Sequence, residues 1–301
     1  MKYQLIIPVY NPDEKLNKLL MMIARQTIKS PVIIVDSGSD KKYLKYASEI
    51  KDVEVVDIPS SEFDHGGTRQ WAINYRNDAD IYCFLTQDAI LCDDLALERI
   101  FSCFDNEDVG CAYGRQFPHQ DATILSSFAR TYNYSAVSYK RTFEDRKKCG
   151  IKTVFISNSF AAYRKKAMDE VGGFPSHVIL SEDMYVAAKM LLKGWSIAYN
   201  ANAGVYHSHN FSIIEEFKRY FDIGVFHHNE KWIREKFGES ESSGVEYLRA
   251  EIKQFKNSIS NVINAMFRDC VKYIGYRIGL NEDKIPIFLK KRMSSNAKYW
   301  S

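Results

Sequence analysis

The sequence predicts an α/β protein in which a Rossmann-type, doubly wound sheet domain is followed by a helical C-terminal region. Over the first 115 residues, short runs rich in Ile and Val alternate with segments of helical apolar periodicity. The runs are nearly continuous in apolar residues, which is typical of parallel strands buried on both faces. Beyond Phe211 the apolar spacing is helical throughout.

The first half of the sheet domain contains regular elements. In order, we predict a strand at 3–9, a helix at 13–26, strands at 31–36 and 53–58, a helix at 67–76 and a strand at 81–85. Ligands of such sheets bind beyond the carboxyl ends of the strands. The segments 8–11, 36–40 and 86–88 lie at those ends, so we expect the functional site there.

The second half is less regular. Residues 116–150 are aromatic and polar without clear periodicity, which predicts a long binding loop. After it we predict an ordered segment at 153–162, a helix at 165–171 with a stop at 172–175, a helix from Ser181 to Gly194, and a strand at 195–200. The expected organisation is a sheet domain over 1–210, with halves of about 1–115 and 116–210, and a helical region over 211–301.

Composition excludes some classes of protein. The chain has 301 residues, of which 46% are hydrophobic, enough for a sizeable core. Its 41 Lys and Arg against 38 Asp and Glu give a net charge of +3, too small for a dedicated nucleic-acid-binding protein. The charge is unevenly placed, because residues 231–301 carry 14 basic and 8 acidic side chains and the rest is slightly acidic.

Cysteine spacing and hydropathy bear on location. The six cysteines contain no C-x-x-C pair, so we expect neither a zinc site nor a disulfide framework. The N-terminal apolar run is too short for a signal peptide, and no stretch approaches 18 apolar residues. We therefore expect a cytoplasmic protein with reduced thiols that does not span the membrane.

Two aspartates lie at or just beyond the carboxyl ends of predicted strands. Asp36 can accept a hydrogen bond from a nucleobase or a ribose hydroxyl, although the same position suits a simple turn residue. Asp88 can bind a divalent cation that bridges two phosphates, because Mg²⁺ takes one or two carboxylates together with phosphate oxygens. The turn interpretation remains open for Asp88 too.

A third acidic position is the pair Glu182 and Asp183, just after Ser181 at the predicted start of a helix. Acidic residues in a first turn stabilise a helix through its dipole, which is sufficient reason for the pair. The functional alternative is a general base that deprotonates an acceptor hydroxyl.

Two further motifs carry polar groups. In His207-Ser208-His209, extended chain would place both imidazoles on one face, where they can share a ligand; two ordinary surface histidines are the alternative. Gly66-Gly67, followed by Arg69, is a weak phosphate-loop candidate whose backbone N–H groups would be free to approach an anion.

The order of these motifs resembles a known family. IIPVYN, IIVDSGS, FDHGGTR, FLTQDA, GGF, SEDMYVAAKMLLKGW and VYHSH together are similar to family 2 glycosyltransferases of the GT-A fold over about residues 1–210. FDHGGTR, LTQDA, SEDMYVAAKML, and HSHNFS followed by FKRYFDIGVFH resemble the bacterial rhamnosyltransferase branch, which uses dTDP-L-rhamnose. The resemblance implies a sheet domain that binds a nucleotide sugar.

The resemblance also implies roles for individual residues. It assigns to the nucleotide-sugar pocket Pro8, Tyr10, Asn11, Asp36, Gly66, Gly67, Arg69 and Gln87. Asp88 matches the last aspartate of the D-x-D metal motif, and His207 or His209 would complete a site for Mg²⁺ or Mn²⁺. Asp183 matches the catalytic base, with Glu182 beside it.

The implied reaction is inverting transfer of rhamnose to a hydroxyl of a glycan, expected to be lipid-linked, in O-antigen-type polysaccharide synthesis. The Q-x-x-R-W motif of processive synthases is absent, which favours addition of one sugar. Three alternatives stay open: the same fold with another dTDP- or UDP-sugar, a nucleotidyltransferase, and a catalytically silent binding subunit.

The C-terminal region predicts an amphipathic helix over residues 255–278. Apolar residues recur at helical spacing, while Lys253, Lys256, Arg268, Lys272 and Arg277 lie off that stripe. The residues 285–293 add another apolar and basic patch. This pattern fits a helix lying on the inner face of the cytoplasmic membrane, and equally one that packs on the catalytic domain or on a second subunit as a homodimer contact.

Overall fold

The computed structural model describes residues 1–40, 42, 44–238 and 241–300, with the side chains of 241–243 left aside. The first half is a parallel α/β unit. Its elements are β1 (Tyr3–Val9), α1 (Glu14–Arg25), β2 (Val32–Asp36), α2 (Lys45–Ser48), β3 (Val53–Asp57), α3 (His65–Tyr75) and β4 (Ile81–Leu85). The strands lie side by side in the order β3-β2-β1-β4 and are all parallel. The strands and the two longer helices predicted for this half are confirmed to within two residues.

The second half completes one mixed sheet. It comprises β5 (Ile90–Leu91), α4 (Ala96–Phe101), β6 (Val109–Phe117), α5 (Ile124–Asn133), β7 (Tyr139–Arg141), α6 (Arg146–Cys149), β8 (Phe160–Arg164), α7 (Lys165–Val171), α8 (Glu182–Leu192) and β9 (Ser196–Tyr206). The sheet continues from β4 as β8-β6-β9-β5, and β7 pairs with β9.

The parallel arrangement predicted for the first 115 residues does not continue through the whole second half. β8 is antiparallel to both of its neighbours, β4 and β6, and β9 is parallel to β6 but antiparallel to β5 and β7. Like the strands of the first half, β8 is almost completely buried. An apolar run reports burial on both faces and carries no information about strand direction.

Two predicted segments differ from the structure. Residues 116–150 are not one irregular loop, because they contain α5 and β7. The ordered segment predicted at 153–162 begins instead at Phe160, after a 3₁₀ turn at Gly150–Val154, and the last strand continues to Tyr206 rather than ending at 200. α5 buries none of its residues fully.

Sheet and helices enclose two hydrophobic clusters, one on each face of the sheet. One is built largely from β1, α1, β4 and α4, and includes Leu16, Leu19 and Leu20. The other contains side chains of α8 together with Phe221, Val225 and Phe226 from beyond the sheet. The helical region therefore shares a core with the sheet, and the boundary near residue 210 stays a prediction. All six cysteines are free, as expected.

Beyond the sheet the described chain is helical, as predicted. The helices are α9 (Ile213–Asn229), α10 (Lys231–Phe237), α11 (Glu241–Phe255), α12 (Ile259–Gly279) and α13 (Ile287–Met293). α9 and α12 pack very closely. At their contact a Cβ atom on Gly279 would lie only 2.1 Å from the Phe221 carbonyl oxygen, so there is no room for a side chain at that position. Among the described residues, no helix combines the length and apolarity needed to cross a membrane.

Candidate active site

The loops after β1 and β2 are tied together at the carboxyl ends of the strands. Asp36 is fully buried and accepts a hydrogen bond from the backbone N–H of Ser39 (3.1 Å) and another from its hydroxyl. The same hydroxyl accepts from the backbone N–H of Asn11 at 2.8 Å. Asn11 has a left-handed φ of 42°, so the chain turns sharply after β1. Asp36 therefore fixes the conformation of the loops at the carboxyl ends of β1 and β2.

Tyr10 and Gln87 join the ends of β1 and β4. Gln87 Oε1 accepts from the Tyr10 N–H (2.9 Å), and Gln87 Nε2 donates to the Tyr10 carbonyl (3.2 Å). The Tyr10 ring is exposed, whereas Pro8 lies within β1, opposite Val35. These residues line the edge at which a ligand was expected, and their contact with a nucleotide stays a prediction.

Asp88, His207 and His209 come together beside that edge. Asp88 Oδ2 lies 3.5 Å from His207 Nε2 and 3.8 Å from His209 Nδ1. Burial holds the pKa of His207 well below its usual value and also lowers that of His209. Both rings are therefore neutral near pH 7, and the contacts are not ion pairs but a carboxylate facing two imidazoles.

This group has the chemistry of a divalent metal site. One oxygen and two nitrogen atoms lie within 4.8 Å of one another. In the same loop, the hydroxyl of Thr86 is buried without a hydrogen-bond partner. Carboxylate oxygen suits Mg²⁺ and Mn²⁺, while imidazole suits transition metals, so the set fits Mn²⁺ better than Mg²⁺.

Asp183 lies at the start of α8. Its carboxylate accepts hydrogen bonds from the backbone N–H groups of Asn158 (3.1 Å) and Met184 (2.8 Å). Burial, with the negative charge of Glu182, raises the pKa of Asp183 to about 7. A carboxylate with that pKa can take up a proton at neutral pH. The helix starts after Ser181, as predicted; the backbone of Ser181 is left-handed (φ 62°), and its side chain makes no capping hydrogen bond.

Glu182 has a different environment from its neighbour. Its Oε1 lies 3.2 Å from Arg69 Nη1 and accepts a hydrogen bond from Asn158 Nδ2 at 2.8 Å. Burial alone would raise the pKa of Glu182, but the charges of Arg69 and His65 lower it overall. Glu182 thus stays ionised and paired with Arg69, while Asp183 has no cation of its own within ion-pair distance in the described structure.

The double glycine lies inside the first turn of α3. A Cβ atom at Gly66 would be 1.9 Å from the carbonyl oxygen of Pro175, so only glycine fits against that loop. The Gly67 N–H donates to Asp64 Oδ1, which caps the helix. The expectation that both amides are free for an anion is therefore wrong for Gly67, and the place of the two glycines in the nucleotide site stays a prediction.

Sequence reasoning missed several polar residues around this site. Gln116 on β6 and Arg130 on α5 contact His207 directly or through each other, and Asn158 contacts both acidic residues of α8. Gln116 and Arg130 lie in the segment taken for an irregular loop. Asn158 lies just before β8 and has no neighbouring motif that would have identified it.

Comparisons with known proteins identify the family of the chain. Residues 4–172 match the model of glycosyl transferase family 2. Along its whole length the chain is 42% identical to the O-antigen chain rhamnosyltransferase RfbN of Salmonella typhimurium, covering 96% of that protein. It is 40% identical over 99% of its length to the O-antigen chain rhamnosyltransferase WbaN of Salmonella anatum, again covering 96% of the relative.

Solved structures show the same fold at low sequence identity. The mannosyltransferase PcManGT of Pyrobaculum calidifontis, in complex with GDP-Man and Mn²⁺, superposes with a TM-score of 0.60 at 16% identity, covering 95% of this chain and 76% of that one. Residues 1–349 of S. aureus TarS give 0.55 at 15% identity, with 94% and 91% covered.

Fold, site and relatives together define a glycosyltransferase with a GT-A-like catalytic sheet. The chain belongs to glycosyl transferase family 2. The resemblance found in the motifs is thereby confirmed for the family, and the names of both curated relatives agree with the rhamnosyltransferase branch.

Proposed function

We propose that this enzyme transfers L-rhamnose from dTDP-β-L-rhamnose to a hydroxyl of a lipid-linked glycan in O-antigen synthesis, with inversion at the anomeric carbon. One observation carries the proposal. A buried carboxylate with a pKa near 7, Asp183, occurs in a chain that is 42% identical over its full length to an O-antigen chain rhamnosyltransferase.

Asp183 would act as the general base. Its carboxylate takes the proton of the acceptor hydroxyl while that oxygen forms a bond to the anomeric carbon. The bond from this carbon to the diphosphate oxygen breaks on the opposite face, and dTDP leaves with the electron pair. The product is an α-rhamnoside, and no covalent intermediate on the enzyme is needed.

Arg69 and Glu182 would hold this base in position. The ion pair between them keeps Glu182 ionised and fixes the first turn of α8, on which Asp183 lies. The backbone N–H of Asn158 holds one carboxylate oxygen of Asp183. The chain therefore orients the base before substrate arrives.

Asp88, His207 and His209 would hold Mn²⁺, or Mg²⁺ less tightly. When bound, a divalent cation neutralises charge that develops on a leaving diphosphate. The two neutral imidazoles offer lone pairs, and the single carboxylate contributes the anionic ligand.

A donor panel tests the function. We expect transfer to a lipid-linked acceptor glycan from dTDP-L-rhamnose, and rates at least about tenfold lower from UDP-glucose, UDP-GlcNAc and GDP-mannose. NMR of the product should show an α linkage. Equal rates from a UDP-sugar would contradict the donor, and a β linkage would contradict inversion. Asp183→Asn should lower kcat by about 10²–10⁴-fold while nucleotide binding is kept.

We also propose that α12 lies on an anionic membrane surface. Its exposed side is largely apolar, interrupted by Ser260 and Asn264, and the residues described there include no exposed acidic side chain. The large apolar side chains exposed on it are Ile259, Ile263, Met266, Phe267, Tyr273 and Ile274. Exposed cations flank this side, at Lys256 just before the helix and at Arg277 in its last turn. An apolar face between cations complements anionic lipid headgroups, and a purely apolar contact with a second copy would not need them.

The predicted cationic border of this helix is partly wrong. Arg268 and Lys272 face inward, where both lie within ion-pair distance of Glu216 on α9 (2.9 and 3.6 Å). Arg268 and Lys272 therefore lie partly buried against α9, while the fully buried residues of α12 are the small or aromatic Ala265, Gly275, Tyr276 and Gly279. The ion pairs with α9 favour the orientation in which the large apolar side chains of α12 are exposed.

Liposome sedimentation tests the membrane contact. Ile263→Ser with Phe267→Ser should reduce binding to vesicles containing anionic lipid, while Ile214→Ser, an exposed apolar residue of α9, should not. Loss of self-association in the double variant, with vesicle binding unchanged, would show that the face contacts a second copy and would overturn the membrane proposal.

A further inference from the structure

His207 has polar neighbours besides Asp88 on both ring nitrogens. Its Nε2 also lies 3.5 Å from Ser159 Oγ, a hydroxyl that can donate to a lone pair there. Its Nδ1 lies 2.9 Å from Oε1 of Gln116, a residue of β6 that is 2% exposed. The opposite ring nitrogen, Nε2, is the atom that faces Asp88. His207 thus joins the candidate metal site to the interior of the sheet.

The amide of Gln116 is oriented by its other two contacts. Arg130 Nη1 lies 2.7 Å from Gln116 Oε1, and a guanidinium can only donate. Gln116 Nε2 donates to Ser157 Oγ at 2.9 Å. Rotating the amide by 180° would set its NH₂ group against the guanidinium, so the oxygen must face both Arg130 and His207.

This orientation determines which ring nitrogen of His207 carries the proton. Since Gln116 Oε1 is an acceptor, His207 Nδ1 must be the donor. A neutral imidazole has one N–H, so Nε2 keeps its lone pair. That lone pair is on the atom grouped with Asp88 and His209.

We propose that Gln116, held by Arg130, is a positioning residue that fixes the Nδ1–H tautomer of His207 and directs Nε2 at the bound cation. The proposal rests on the metal site described under the proposed function. Without the acceptor, the imidazole exchanges freely between tautomers, and one of them presents an N–H to the cation. Partners of this kind are worth about 10–100-fold in metal affinity.

Two variants of Gln116 in the full-length chain test the role of the acceptor. Gln116→Leu keeps most of the volume and removes the acceptor, so Mn²⁺ affinity measured by calorimetry should fall about 10–100-fold. Gln116→Glu can accept from both neighbours and should restore affinity to within a few-fold of the wild type. Gln4→Leu is the matched control: Gln4 is also a buried glutamine of the sheet, but its Nε2 donates to the carbonyls of Leu5 and Pro31, and the affinity should not change.

The tautomer can be read without metal. In ¹⁵N-detected NMR of the metal-free protein, His207 should show protonated Nδ1 and bare Nε2, and Gln116→Leu should lose that preference. Protonated Nε2 in the wild type, or unchanged Mn²⁺ affinity in Gln116→Leu, would overturn the inference. A wild type that has the Nδ1–H tautomer but binds no Mn²⁺ would contradict the metal site and support the tautomer assignment.

Discussion

Arg69 Nη1 lies 3.2 Å from Glu182 Oε1, and both side chains are only 7% exposed. The ion pair joins α3 to α8 beside the candidate base. If one member of a buried ion pair is removed, the other charge stays buried without a partner, and the protein loses stability. This loss is much larger than the stability that the intact pair provides relative to apolar residues of the same size. The stability of the fold and the position of the candidate base Asp183 therefore depend on the same ion pair.

Arg69→Met should lower the free energy of unfolding by about 3–5 kcal/mol, measured by urea denaturation at pH 7.5. Arg76→Met is the control, because Arg76 pairs with Glu54 at the surface, where the loss of one partner should cost much less. If both variants lost the same unfolding free energy, the ion pair of Arg69 with Glu182 would matter no more for stability than a surface pair.

Activity should depend on pH through Asp183. Its pKa is raised to about 7, and only the carboxylate form can accept a proton. We expect kcat/KM to rise with pH and to reach half of its maximum near pH 7, measured between pH 5.5 and 9. The residual activity of Asp183→Asn should lack this rise. A wild-type profile that stays flat down to pH 5.5 would exclude Asp183 as the titrating base.

The same group should make stability depend on pH. A raised pKa means that the folded state binds the proton more tightly than the unfolded state, so the stabilisation exists at low pH and is lost as pH rises towards 7. Asp183→Asn removes that loss. The excess in unfolding free energy of the variant over the wild type, measured by urea denaturation, should therefore be larger at pH 8.5 than at pH 5. An advantage that is equal at both pH values would contradict the raised pKa.

The strands β1, β2 and β4, which lead into candidate site residues, were predictable because buried strands appear in the sequence as uninterrupted apolar runs. β6 was missed, since Gly110 and Gly114 interrupt its run; both glycines are needed where Trp195 and Phe160 pack closely. Strand direction in β8 was not predictable, because apolar character is the same in both directions.

The helix α12 shows a similar limit. Periodicity identified its apolar stripe but could not tell which side faces the protein, and the inward ion pairs of Arg268 and Lys272 decide it. Candidate site residues on strand ends were found, whereas Gln116 was not. Gln116 contacts His207, which lies 91 residues away in the chain, and no local pattern encodes such a contact.

The metal site predicts a specific loss. Asp88→Asn removes the one carboxylate ligand, so Mn²⁺ affinity should fall more than about 100-fold, further than for loss of a residue that only orients a ligand. Chelation of the wild type should abolish transfer, and Mn²⁺ should restore it at lower concentration than Mg²⁺. Asp93→Asn, which breaks a partly exposed pair with Arg99, is the control. Full transfer in the presence of excess chelator would contradict a metal requirement.

Close packing of α9 against α12 predicts a large effect of a single methyl group. A Cβ atom at Gly279 would lie 2.1 Å from the backbone oxygen of Phe221, so Gly279→Ala must push the helices apart. We expect a loss of about 2–4 kcal/mol by urea denaturation, as in other overpacked cores. Gly244→Ala on α11 meets nothing within 4 Å and should instead stabilise the chain by up to about 1 kcal/mol, since alanine favours helix. If both substitutions stabilised the protein, the close approach of the two helices would be wrong, and with it the orientation that exposes the apolar side of α12.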